Sequence, residues 1–145
     1  MVINIDCMRA VLLVLQRELK ISISTDSYPS GDFIHMDFTD LFKHLPQYSK
    51  EDIWYVVYNL ACCGYIEGIY PKHMNKARLE NLSIYNLTFE GQQFTESIKP
   101  ETVWNKTKNK IESAGIYTFK FILQTAHDCA VAATETFVSG MMSKK

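Results

Sequence analysis

The residues of this chain that could do chemistry are few, and their spacing argues against it. Cys62 and Cys63 are adjacent. Neighbours on a helix point about 100° apart, so a single zinc ion would strain to take both, and packing thiols are the simpler reading. His127, Asp128 and Cys129 string together a base, a carboxylate and a nucleophile. Consecutive helical side chains diverge, however, and form no relay. His35, His44 and His73 stand apart, with no partner at metal-ligand spacing. There is no Gly-rich phosphate loop, no nucleophile elbow and no His-Glu-x-x-His. The sequence therefore predicts no catalytic, cofactor or metal site, and a protein that is not an enzyme.

Contact chemistry is better represented. Lys72, His73, Lys76 and Arg78, offset by Glu80, form one basic cluster. Lys99, Lys106, Lys108 and Lys110 form another. Lys50 and Asn59 sit in a stretch that also carries Trp54, Tyr55 and Tyr58. Basic clusters sharing a face would hold a nucleic-acid backbone in a salt-sensitive way, or simply be solvated. Exposed aromatics suit a protein partner better than phosphates. Net charge is −1, without the global basic excess usual in nucleic-acid binders. The charge is split: residues 1–98 hold 8 basic and 12 acidic side chains, and residues 99–145 hold 7 and 4.

These residues need a scaffold, and Ser49 to Gly91 supplies its centre. Ser49 caps a helix with acidic Glu51 and Asp52 in its first turn. Ile53, Val56, Val57, Leu60 and Cys63 repeat at three and four and should face a core. Trp54, Tyr55, Tyr58 and Asn59 lean outward or to the flanks, and Gly64 stands where a left-handed stop is expected. The β-prone runs 65–70 and 82–87 flank a polar, basic loop, 71–80, and predict a hairpin. Thr88 then caps a further helix to about Ile98. Gly91 in its first turn costs about 1 kcal/mol against alanine, which close packing on the hairpin would explain.

Upstream, Asp6 is a plausible cap for a first helix to about Lys20, with Met8, Val11, Leu12, Leu15 and Leu19 inward. The Ser-, Thr- and Asp-rich run 21–31 reads as a loop, with Ile21 and Ile23 lending at most a short extended piece. Phe33 to Met36 alternates and predicts a short strand beside the hairpin. Asp37 or Thr39 caps a short second helix, 40–45, which Pro46 ends. Together these elements predict an α+β fold, a winged helix-turn-helix over residues 1–98. Residues 99–145 add a helical extension: a helix over 101–113, a break at Gly115, and a final apolar stripe.

The opening N-I-D-C-M-R-A-V-L-L-V-L, the segment Y-S-K-E-D-I-W-Y-V-V-Y-N-L-A-C-C-G-Y-I-E-G, then L-T-F-E-G-Q-Q-F and V-W-N-K-T-K-N-K-I resemble a bacterial and phage family of unknown function, the one numbered twenty-five thirteen. Its members look like small winged-helix proteins with a helical tail. This chain departs from the pattern at Val56, where relatives have a histidine, and at Cys62 and Cys63, where they have Glu-Ala. The resemblance implies a fold and a phage or prophage setting, and brings no catalytic residue with it.

The final stripe runs Ile116, Phe119, Leu123, Ala126, Ala130, Ala133, Phe137 and Met141. Lys120, His127, Asp128 and Glu135 interrupt it, which excludes a membrane span. It can fold back on its own chain, dock a foreign partner or a membrane surface, or pair with a second copy; the expectation is a homodimer through this helix, with Phe119, Leu123, Ala126, Ala130, Ala133 and Phe137 as its contacts. The start of the chain lacks the basic region of a secretory signal. The four cysteines then read as reduced packing thiols in the cytoplasm, and the three Asn-x-Ser/Thr matches are discounted. The expectation is a regulatory or interaction protein, probing protein surfaces with Trp54, Tyr55 and Tyr58. The alternative is a transcriptional regulator whose DNA contacts are Lys50, Asn59, Lys72, Lys76, Arg78, Lys106, Lys108 and Lys110.

Overall fold

A computed structural model describes residues 1–69 and 83–143. The basic loop with Lys72, His73, Lys76 and Arg78 lies outside the described residues.

Helix α1, Ile5–Glu18, begins two residues earlier than a cap at Asp6 would place it. Its cap is Asn4, whose side chain accepts from the Cys7 amide, and Asp6 sits in the first turn. Cys7, Met8, Val11, Leu12 and Leu15 are fully buried and form the axis of the core.

The next stretch differs from the expected loop. Strands β1, Lys20–Ser24, and β2, Ser30–Ile34, form an antiparallel hairpin, pairing Ile21 with Phe33 and Ile23 with Gly31. The Ser, Asp and Pro residues that signal a loop lie mainly in its tip, and the β-branched Ile21 and Ile23 carry the strand. Strand β3, Met36–Asp37, follows at once, and Asp37 caps helix α2, Phe38–His44, by accepting from the Asp40 amide.

Helix α3, Lys50–Cys62, starts at Ser49, whose hydroxyl accepts from the Asp52 amide. It ends where Gly64 takes φ 76°, the left-handed stop. Strand β4, Ile66–Ile69, and strand β5, Ser83–Leu87, pair antiparallel with an irregularity between Glu67 and Gly68. The sheet order is β3-β5-β4, so the short strand before α2 closes the outer side of the later hairpin.

Thr88 caps helix α4, Phe89–Ile98, accepting from Gly91 N and donating to Gly64 O at 2.7 Å. Helix α5, Glu101–Ala114, ends at Gly115, φ 69°, and helix α6, Phe119–Ser143, returns along it. Trp104, Ile111, Ile122 and Ala126 belong to the same core cluster as α1 and α3. The extension is thus fused to the rest, and the boundary at residue 98 crosses one continuous core. The chain is a mixed α+β protein.

Candidate functional site

The outer surface of α3 is the best-defined candidate. Ile53, Val56, Val57 and Leu60 are fully buried and fix the helix against α1. A second tie holds its first turn, where Asn4 Nδ2 donates to Asp52 Oδ2 at 3.2 Å. The residues left on the other side are Lys50, Glu51, Trp54, Tyr55, Tyr58, Asn59 and Cys62.

Three aromatics stack inward from this surface. The Trp54 ring lies 5.3 Å from Phe38, which meets Phe42 edge-on at 6.0 Å. The Lys50 ammonium sits 5.8 Å over the Phe42 ring. Between them is an open, mostly apolar depression of about 350 Å³, lined by Met1, Phe42, Lys50, Glu51 and Trp54. One cation and one carboxylate on an apolar floor suit a protein side chain better than a phosphate row. Trp54 and Tyr55 are half-buried, and Tyr58 is the open member of the trio at 39% exposure. The hydrogen bond between Tyr58 and the Cys62 thiol raises the phenol above its ordinary pKa.

Several residues expected to face DNA are engaged within the chain. Asn59 Nδ2 donates to Tyr55 O at 2.7 Å. Lys108 pairs with Asp6 at 3.1 Å, and Lys99 lies 3.7 Å from Glu96. Lys50, Lys106 and Lys110 are the candidate basic residues that remain exposed among those described, and Lys50 stands beside exposed Glu51. Lys72, Lys76 and Arg78 lie outside the described residues.

The C-terminal stripe also divides. Ala126 is fully buried, and Phe119 and Leu123 are partly buried against the core, so their own chain already covers much of this half of the stripe. Ala130 and Ala133 are half-buried, and Phe137 is 68% exposed. His127 and Asp128 face solvent while Cys129 is buried, as diverging helical neighbours must.

Arg9 and Asp6 are the structural anchors that sequence reasoning missed. Arg9 donates to Ile98 O and Lys99 O at 3.0 and 2.7 Å, closing the end of α4, and its guanidinium lies 5.9 Å over Trp104. Asp6 accepts from Trp104 Nε1 at 3.2 Å. No local pattern announces partners about 90 positions away. A second depression, about 370 Å³, is lined by Glu18, Ile34, His35, Met36, Asp40, Lys43 and His44, with charges of both signs. Among the described residues no group of His, Cys, Asp and Glu is placed to hold a metal.

The four thiols differ sharply. Burial, reinforced by Asp52, pushes Cys7 up to about 12, and burial pushes Cys63 up to about 11. Cys129 is buried and Cys62 exposed. One thiol, Cys62, should therefore react quickly with a disulfide reagent in the native protein, and all four after unfolding; fast labelling of Cys7 would contradict this burial. An unfolded thiol ionises near 9, below the folded Cys7 and Cys63. Their contribution to stability is complete below pH 9 and falls as pH rises toward 11 and 12. A urea midpoint series from pH 8 to 11 should decline, and less steeply in Cys7→Ala.

The family model described as hypothetical protein (DUF2513) matches residues 3–117. No curated protein and no solved structure matches the chain.

Proposed function

We propose, for a chain that belongs to the DUF2513 family, a non-enzymatic regulatory or interaction role of phage or prophage type, acting mainly through protein–protein contacts in the cytoplasm. The scaffold is read as a winged helix: α1, β3, α2, α3 and the β4–β5 hairpin follow in that order, and β3 lies beside β5. The observation that carries the reading is the outer surface of α3. Where a DNA-reading helix would present arginine, lysine or free amides, this one presents Tyr58, half-buried Trp54 and Tyr55, and an apolar depression. Its one lysine is answered by Glu51, and its one asparagine is bonded to its own backbone. Among the described residues no helix is long and apolar enough to cross a membrane.

The second reading is a DNA-binding regulator, favoured by the same element order and by the basic loop at 71–80. Titrating labelled random duplex DNA at low and moderate salt separates the two. The protein-contact reading expects a flat response even at low salt. Binding that weakens with a slope of several charges would overturn it in favour of DNA.

A further inference from the structure

We propose that the outer edge of β1 pairs antiparallel with β1 of a second copy of this chain, joining two hairpins into a four-stranded sheet. In the two-stranded sheet β1-β2, the other edge of β1 has no strand partner among the described residues. A row of unpaired N–H and C=O groups is a template for another strand. Natural edges are blunted by charges, prolines or bulges. Here the pairing from Lys20–Ile34 to Ser24–Ser30 is regular, with no bulge, and Lys20 is the one charge on β1.

The side chains add to the case. Ile21 and Ile23 are 61% and 66% exposed on one face of β1, and Phe33 beside Ile21 is 39% exposed. Phe33 leans on Tyr85 at 5.6 Å, which ties the base of the hairpin to β5 and leaves its outer strand open. A two-stranded hairpin is marginal in water, and three or more strands with an apolar face are the stable form.

The occupant is a second copy because the strand complements itself. An antiparallel pairing centred on Ile23 sets Ile23 against Ile23, Ser22 against Ser24, and Ile21 against Thr25. Asp26 lies two residues beyond β1, in the bend at the hairpin tip, so the same register brings Lys20 of each copy toward Asp26 at the end of the other's strand, two opposite-charge pairs from one two-fold contact. The Lys20 ammonium makes no side-chain hydrogen bond or salt bridge among the described residues, its one charged influence being a lowering of the Glu18 carboxyl, and Asp26 accepts one hydrogen bond, from the Ser24 hydroxyl at 3.2 Å. Ile21, Ile23 and Phe33 of the two copies then form one apolar stripe across four strands.

Sedimentation equilibrium of the full chain tests this. The native protein should be a dimer in a reversible equilibrium. Ile23→Lys should weaken it at least tenfold with an unchanged melting temperature, since the residue touches little of the core. Lys20→Asp and Asp26→Lys should each weaken it by roughly two- to tenfold, and the double exchange should restore it. A native protein that stays monomeric at high concentration overturns the proposal. So does a dimer indifferent to Ile23→Lys, which would place the contact elsewhere, or a charge exchange that fails to restore pairing.

Discussion

Gly91→Ala should destabilise this protein by about 3 kcal/mol, although alanine is the better helix former by about 1 kcal/mol. A Cβ on Gly91 would stand 2.1 Å from the Tyr65 carbonyl oxygen and 3.0 Å from a Leu87 methyl. The carbonyl is backbone and cannot swing aside. It accepts the Thr88 amide at 3.0 Å, and the Thr88 hydroxyl donates to Gly64 next door. Making room would therefore pull α4 off the turn that ends α3 and weaken both bonds. A melting temperature lower by roughly 10 °C is the expected reading. Gly140→Ala is the control: nothing lies within 4 Å of its Cβ position, so that change should be neutral or slightly stabilising. A Gly91→Ala protein as stable as its parent would mean that α4 does not sit this close to the turn.

The second large effect concerns α6. Its first half buries Ile122, Thr125, Ala126 and Cys129, with Phe119, Phe121 and Leu123 against the core. Fully burying one side chain such as Ile122 stabilises by about 1.5–3 kcal/mol. A chain ending at Gly115 should lose about 4 kcal/mol and expose apolar surface on α4 and α5, read as a much lower urea midpoint and dye binding. A chain ending at Thr134 keeps every buried residue of α6 and should unfold at the parent's midpoint. Equal stability of all three would show that the helix does not pack on its own chain. The contrast also separates what α6 does for the fold from whatever its exposed far end, Phe137 to Met142, does for a partner.

Much of this architecture is legible because its decisive signals are local. Ser49 and Thr88 announce helix starts by side-chain chemistry, Gly64 announces a left-handed stop, and the glycine at 91 announces close packing. The two caps and the stop are fixed by residues within a few positions, whereas the glycine signals only that something comes close, and the Tyr65 carbonyl it meets lies 26 positions earlier. The same rule misplaces the first cap: Asp6 is an acceptable cap residue, but Asn4 takes the role and releases Asp6 to meet Trp104 and Lys108. Composition alone hides the β1–β2 hairpin, since its strands are exposed on both faces and a polar tip dominates the count. An amphipathic stripe such as that of α6 says that a face will be covered, not by what. The α3 aromatics were legible as a group. Their division into a half-buried Trp54 and Tyr55 and an open Tyr58 depended on where α2 placed Phe38 and Phe42.

The ties made by Arg9 have a consequence for how the chain acquires its shape. Arg9 reaches carbonyl groups 89 and 90 positions later, and Asp6 reaches an indole 98 positions later. Closing loops of that length has an entropic cost before any contact is gained, and folding slows as such contacts accumulate. On the ribosome, the first helix made must wait for nearly the last. Until α5 emerges, Asn4 can cap the first turn of α1 and reach Asp52, but Asp6 lacks Trp104 and Lys108. The first turns of α1 are therefore locked only once residues 98–108 are in place, by partners about 90 positions further along.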